Sequence, residues 1–441
     1  MIILWTDALI FLLVLSLAVL CFLIRNKAHL QRPLKKIAAS KTAMISLLVL
    51  VFFVLIGLLD SFHFKSKVNH SHEITSLLDY WAAPIRKQSE KTYSAPFSAY
   101  LYSKESIALA DGSTQWGYPR LKFGGSHLQN PEVELVADVM GKASIGFVKG
   151  AGLAFLFYLL LRFFFKNKAN NKTAKTVFLV FFLLVSISYM LVDLSTYYHV
   201  LGTDKVGEDV FYQAIKSIRT GLVIGSLTTM IMLPLAITFG IMAGFFRGWV
   251  DDLIQYIYTT LNSIPGVLLI AASILMVQVY MANHAEDFNS LIIRSDMRLL
   301  FLCLILGVTS WTGLCRMLRA ETLKLREMEY VQAAQALGVK RSRILFRHIL
   351  PNVMHIVLIS VVLDFSSLVL AEAVLSYINI GVDPSTYSWG NMINGARLEM
   401  AREPIVWWSL LASFMFMFSL VLAANLFADS VRNAFDPRRG E

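Results

Sequence analysis

Nine runs of apolar residues, near 2–24, 43–59, 145–165, 174–194, 219–244, 253–281, 299–318, 352–374 and 405–427, leave this chain few ways to fold. Several exceed the ~20 residues that a helix needs to cross a bilayer. Over 441 residues, 56% are apolar and only 16% charged, against roughly 25% charge in a soluble domain. That deficit excludes most cytosolic enzymes and any disordered protein. The fold class is an all-α polytopic membrane protein.

Loop charge sets the expected orientation. The connector after the first run holds Arg25, Lys27, Arg32, Lys35, Lys36 and Lys41 without an acid, and the one after the third holds Arg162, Lys166, Lys168, Lys172 and Lys175. Residues 316–347 carry Arg316, Arg319, Lys324, Arg326, Lys340, Arg341, Arg343 and Arg347 against Glu321, Glu327 and Glu329. Positive loops stay in the cytoplasm, so nine spans place the N-terminus outside and the tail, with Arg432, Arg438 and Arg439, inside. The first run has no basic residue ahead of it and no small-residue cleavage site before Arg25, so it reads as a retained helix and not a removed signal peptide. The net charge of +10 is explained by the same rule, with no need for a nucleic-acid partner.

Residues 60–144 form the one long segment on the opposite side, with nine Lys/Arg balanced by nine Asp/Glu. At about 85 residues it is large enough for a small extracytoplasmic domain with little core of its own. Tyr93, Pro96, Tyr100, Tyr102, Trp116 and Tyr118 are available to pack it against the membrane face or a partner. Inside the runs lie helix breakers, Pro234 and the group Asn262, Ser263 and Pro265, tolerated where protein or a cavity satisfies the freed carbonyls. Gly221 with Gly225, and Gly240 with Gly244, have spacing that permits close helix approach.

The three cysteines, Cys21, Cys303 and Cys315, sit in or beside apolar runs with no metal-ligand spacing and read as small hydrophobes. His63, His70 and His72 read as solvated loop residues, so no metal site is expected. There is no G-x-x-x-x-G-K-[ST], no H-E-x-x-H, no G-x-S-x-G and no dinucleotide fingerprint. The chain is therefore expected to have no ATPase site and to bind no cofactor itself. Transport or signalling remains, with any energy source on another subunit.

The most informative stretch runs from Arg326 to Asn352. Tyr330, Val331, Ala334 and Leu337 fall at helical spacing, and Gly338 stands where a left-handed residue ends a helix. Ser342 is placed to start a second short helix, and Pro351 to open the next span. Alanines beside a glycine elbow make a rigid knob that another protein can approach closely.

This stretch resembles the EAA loop of ABC-importer permeases, E-A-A-x₃-G-x₉-I-x-L-P, with Ala333, Ala334, Gly338, Leu350 and Pro351 matching, Gln332 in place of the glutamate and His348 in place of the isoleucine. Arg347 to Asn352 is similar to the R-H-I-L-P-N of the dipeptide/oligopeptide/nickel branch. Gly202-Thr203-Asp204 through Val210 resembles that branch's G-T-D-x-x-G-R-D-V element, with Glu208 replacing arginine. Ala371-Glu372-Ala373, Leu375-Ser376, Ser388-Trp389-Gly390 and Ala434-Phe435-Asp436-Pro437-Arg438 are also similar. The resemblance covers about 195–441 and, by position, the span at 174–194.

That resemblance implies a type I importer transmembrane domain of six core spans, with about three extra N-terminal spans. The expected layout is 1–59 with two spans, the 60–144 domain, 145–194 with two spans, the second being the first core span, and a core from 195 to 441 with its coupling loop at 326–351. It implies a homologous permease partner, two ATPase subunits that use ATP and Mg, and an extracytoplasmic solute-binding protein. Alternating access would carry peptides or similar small solutes. Gln332, Ala333, Ala334, Gly338, Leu350 and Pro351 are the expected ATPase-coupling residues. Nickel or a peptide antibiotic is an alternative cargo, and an ion-coupled secondary transporter an alternative class; the latter tends to place several ionisable groups mid-membrane at a repeat interface, whereas only one or two acids lie there.

Those acids are Asp364 and Glu372, costly to bury in hydrocarbon and eight residues apart, about 80° around a helix. Each is a candidate pathway lining group, with interhelical hydrogen bonding the plainer alternative. Trp389 and Gly390, in a loop, are candidates to touch the binding protein, or Trp389 anchors the interface. Asp204 and Asp209 are placed to cap or orient a short helix before the fifth span.

Overall fold

The computed structural model describes residues 3–24, 28–68, 71–108, 114–164, 172–288 and 290–435. Arg25, Lys27, His70, Lys166, Lys168, Asp436, Pro437, Arg438 and Arg439 lie outside them, as do the side chains of Cys21, Arg32, His72, Arg162 and Lys172.

Helix α1 (Trp5–Ile24) and the short α2 (Ala28–Ala39) precede α3 (Lys41–Ser61). Two antiparallel hairpins follow, β1 (His63–Val68) with β2 (Ser71–Ser76) and β3 (Glu105–Ala108) with β4 (Thr114–Gly117). Between them lie α4 (Leu77–Trp81) and α5 (Ala83–Arg86). Then come α6 (Pro131–Phe164), α7 (Lys172–Ser195), α8 (Val210–Phe246), α9 (Trp249–Ser263), α10 (Gly266–Asn283) and α11 (Leu291–Arg326). The last third contains α12 (Glu329–Ala336), α13 (Arg341–Ile344), α14 (Leu350–Tyr377), α15 (Trp389–Glu399) and α16 (Trp408–Phe435). Each of the nine apolar runs overlaps a long helix. Among the described residues seven stretches are long and apolar enough to cross a membrane, namely α3, α6, α7, α8, α10, α16 and the continuous Arg341–Tyr377, while α1 offers a shorter apolar stretch, Trp5–Val19.

Two boundaries differ from the sequence pattern. The third run is the end of a longer helix: α6 begins at Pro131, with Glu132 and Glu134 in its first turn, where proline loses no bond and acids suit the helix dipole. The sixth run is two helices. Ile264, ahead of Pro265, is extended at φ −90° and ψ 131°, because the proline ring crowds a helical predecessor, and α9 stops there.

The chain divides into two compact units, one of residues 39–220 and 387–420, the other of residues 3–38, 221–386 and 421–441. In the first, α6 and α7 form a close hairpin: a Cβ on Gly150 would lie 2.8 Å from Ser186 Cα, and one on Gly146 3.1 Å from Met190 Cα. This four-residue glycine spacing is the seam that small residues provide between membrane helices.

The segment between α3 and α6 is seated in this unit through buried charge. Lys216 Nζ of α8 lies 2.8 Å from Asp60 Oδ1 at the end of α3 and 2.7 Å from Asp79 Oδ1 in α4, and Tyr212 donates its hydroxyl to Asp79 at 2.7 Å. A second cluster joins Glu90, His199 and Asp209, with His199 Nδ1 2.8 Å from Asp209 and Nε2 3.5 Å from Glu90, all nearly solvent-free. Burial would raise the Glu90 carboxyl, but His199 and the amides of Lys122, Phe123 and Gly124 bring it down to about 2. Burial would lower the His199 imidazole, but the hydrogen bonds it donates to Asp209 and Glu90 push it up to about 9. The imidazolium is thus held between two carboxylates.

Backbone pairing completes the seat. Glu90 N–H donates to Gly207 O at 2.9 Å, and Thr203 N–H to Ser94 O at 3.1 Å. Gly202 and Gly207 have φ of +69° and +80°, and a Cβ on Gly207 would meet Glu90 O at 1.9 Å, so both conformation and space require glycine. Of the aromatic residues, Tyr93 is buried, Tyr102 packs edge-on to Trp408 at 4.8 Å, and Trp116 and Tyr118 are exposed.

Among the described residues, two apolar clusters lie in the second unit. One gathers Val223, Ile224 and Leu227 of α8, Ile274 of α10, Leu299, Leu302, Cys303 and Leu306 of α11 and Leu368 and Leu375 of α14, with Leu9 and Ile10 of α1 against it. Thr6 of α1 donates its hydroxyl to Asp296 of α11. The other cluster lies under the connector that follows α11.

Candidate functional site

Helix α11 runs to Arg326, and charge fixes its end. Arg319 donates from Nε and Nη2 to the two oxygens of Asp251 at 2.6 and 2.7 Å, and these hydrogen bonds hold the Asp251 carboxyl below the usual range. Arg326 donates to Phe245 O at 3.0 Å, and Arg247 pairs with Glu327 at 2.6 Å. Gly240 and Gly244 make the approach possible: their Cβ positions lie 2.8 Å from Cys315 O and 2.6 Å from Thr322 Cβ. Gly225 plays the same part against α14, where a Cβ would meet the Phe365 ring at 2.5 Å.

The connector then turns twice. Val331 and Ala334 of α12 are buried in the second cluster beside Ile344, Ile349, Val353 and Trp311, while Gln332, Ala333 and Gly338 are exposed. Gly338, at φ +73°, donates to Gln335 O at 3.0 Å, and Val339 to Ala334 O at 3.1 Å. This is the paired 6→1 and 5→2 closure that stops a helix with a left-handed residue. A Cβ on Gly338 would meet nothing within 4 Å, so the backbone angle alone selects glycine there.

The second limb starts one residue ahead of Ser342 and does not end before Pro351. It passes through the π-helical turn Leu345–Ile349 directly into α14, giving one uninterrupted helical stretch from Arg341 to Tyr377. Pro351 has no N–H for the usual bond, and Leu350 N–H reaches Leu345 O five residues back; the wide turn accommodates the ring without a break. Asn352 Nδ2 donates to His348 O at 2.7 Å and to the Tyr330 hydroxyl at 3.0 Å, which clamps the two limbs together.

Gln332 donates from Nε2 to Glu327 O at 3.2 Å. A glutamate at this position lacks a donor for that bond, so the departure from the EAA pattern has a local use. Beyond the elbow, Lys340, Ser342, Arg343, Phe346, Arg347 and Pro351 line an open depression of about 600 Å³. With Leu337 83% and Phe346 72% exposed, this surface is basic, apolar and uncovered.

The remaining expected residues lie elsewhere. Glu372 is buried and accepts from Ser376 at 2.7 Å; that hydroxyl also accepts from Val382 N–H at 3.3 Å. Asp364 lies midway along α14, half-buried. Trp389 and Gly390 correct the sequence expectation of an accessible loop: both are buried at the start of α15, and the Trp389 indole donates to Ala214 O at 3.1 Å. Asp209 caps α8 itself through the amides of Phe211 and Tyr212, while Asp204 closes its own turn by accepting from Val206 and Glu208; the short helix expected before the fifth span is the first part of α8, continuous with the span from Val210. Glu90, His199 and Lys216 were missed, since the pairs that join Glu90 to His199 and Lys216 to Asp60 and Asp79 each bridge more than a hundred positions and no local pattern marks them.

Residues 236–441 match the family described as Binding-protein-dependent transport system inner membrane component. The chain is 30% identical over 243 residues to the dipeptide transport system permease protein DppC of Lactococcus lactis subsp. cremoris, a stretch that covers 55% of this chain and 65% of that one. It is 30% identical over 239 residues to the oligopeptide transport system permease protein OppC of Mycobacterium tuberculosis, covering 54% and 76% respectively. A solved structure of the MetNI methionine ABC transporter in an inward-facing conformation aligns with TM-score 0.36 and 14% identity over 50% of this chain and 96% of that one. With identity at this level across three quarters of a relative, the chain belongs to the family of binding-protein-dependent transport system inner membrane components.

Proposed function

We propose that this chain is a permease subunit of an ATP-binding-cassette importer that moves peptides or similar small solutes by alternating access. The observation that carries the reading is the elbow at Ala333–Gly338, clamped to a helix that runs unbroken to Tyr377. In this reading Gln332, Ala333, Ala334 and Gly338 meet an ATPase subunit, and Leu350 and Pro351 pass the displacement into α14. Two ATPase subunits use ATP and Mg, a homologous permease completes the pathway, and a binding protein delivers the solute. The peptide cargo is supported by the names of the relatives, and the basic character of the elbow supports a cytoplasmic placement, with the N-terminus outside.

Energetically, coupling requires that ATP and the loaded binding protein each prefer a different state of the spans. Reconstitution tests it. Proteoliposomes holding this chain with its partner permease, ATPases and binding protein should accumulate a labelled tripeptide only with ATP, whereas full-rate uptake by particles without ATPase subunits overturns the reading.

A further inference from the structure

We infer that Asp364 is a specificity-determining residue of the solute pathway, favouring solutes that carry ammonium or guanidinium groups; the inference rests on the permease reading above. Its carboxylate has no hydrogen bond or ion pair among the described residues, in contrast to Glu372, which is buried and bonded to Ser376. No lysine or arginine occurs anywhere in α14, and residues 221–246 of α8, which meet α14 at Gly225 and Phe365, carry no charged side chain. The protein thus places a carboxylate at mid-span and supplies no lysine or arginine from α14 or from residues 221–246.

An unpaired carboxylate is costly against lipid, so the face that holds it is turned to water or to another polar surface. That face is recognisable. Leu363, Ser367, Leu370, Val374 and Tyr377 are exposed at alternating spacings of four and three along α14, and Asp364 borders this stripe beside the exposed Ser367. A cation entering such a site gains charge-assisted hydrogen bonds in surroundings of low polarity. The same rigid helix begins at the elbow, so any displacement there also moves the carboxylate, and its access changes with the state of the ATPases.

The complete complex, with partner permease, ATPases and binding protein, tests this with trilysine and trialanine as probes. Asp364→Asn should lower trilysine uptake at least tenfold relative to wild type while trialanine uptake changes less than twofold, and Asp364→Glu should restore most of the trilysine rate. Equal loss of both tripeptides, or no change in either, overturns the inference in favour of a packing or subunit contact. A second measurement does not depend on uptake. Asp364→Cys, with the wild type as control, should react with a membrane-impermeant cationic methanethiosulfonate in at least one of the nucleotide-free and ATP-trapped states. Absence of reaction in both states overturns it even if transport is normal. A wild-type complex that moves neither tripeptide sinks the peptide reading, and the labelling result still decides whether Asp364 faces water.

Discussion

The N-terminal end of α8 and the elbow after α11 handle charge in opposite ways. Around α8, Lys216, Asp60, Asp79, His199, Glu90 and Asp209 are paired within the chain, with side chains no more than 12% exposed. At the elbow, Lys340, Arg341, Arg343 and Arg347 are uncovered beside exposed Leu337 and Phe346. Buried pairs are strongly destabilising to break, so the first region is built to keep one arrangement. The second leaves its charges and apolar side chains on the surface, where the proposed coupling sets an ATPase subunit. The contrast separates a fixed frame from a contact surface within one chain.

The largest expected effect is at the elbow. Gly338→Val forces a β-branched residue into a left-handed conformation, a strain of about 1–3 kcal/mol, and should reduce uptake and coupled ATPase activity below a tenth of wild type at unchanged membrane abundance. Gly338→Asn, which tolerates that conformation, should keep most of both. Normal uptake by the valine variant would remove the elbow from the transmission path.

On the frame, Lys216→Met leaves Asp60 and Asp79 without their cation and should lower unfolding stability in detergent by about 3–5 kcal/mol. Adding Asp79→Asn should recover part of it, and a neutral result for the single variant would erase the distinction between the regions. The third prediction concerns pH. His199 is raised to about 9 from an ordinary 6.5, so its contribution is complete below pH 6.5 and is lost as pH rises through 9. Thermal stability should decline across that window by an amount on the order of 3 kcal/mol, and His199→Gln should lack the slope. Glu90, depressed to about 2, contributes above its ordinary value and loses that contribution as pH falls towards 2. The smallest effect is Gln332→Glu, which removes one exposed hydrogen bond worth about 1 kcal/mol; uptake should stay within twofold of wild type.

Hydropathy located the long helices because crossing a bilayer sets a minimum apolar length, and Gly338 was legible because few other residues accept its φ. Where competing forces meet, the pattern was silent. Trp389 looked like a loop residue, since its burial depends on the Ala214 carbonyl, 175 positions away. The early start of α6 was hidden because Pro131–Met140 mixes polar and apolar residues; it is held by Asp138, which accepts from the Tyr198 hydroxyl at 2.6 Å and from Lys142 at 2.7 Å. The π-helical turn ahead of Pro351 left no sign, because proline there equally well announces a new helix.

The unbroken stretch from Arg341 to Tyr377 has a mechanical corollary. Its 37 residues make a beam roughly 55 Å long at 1.5 Å per residue. Pivoted near its centre, such a beam moves each tip by roughly 5 Å for a tilt of about 10°, and the two tips travel in opposite senses. In the proposed transport cycle, a push at one tip would then return as a pull at the other.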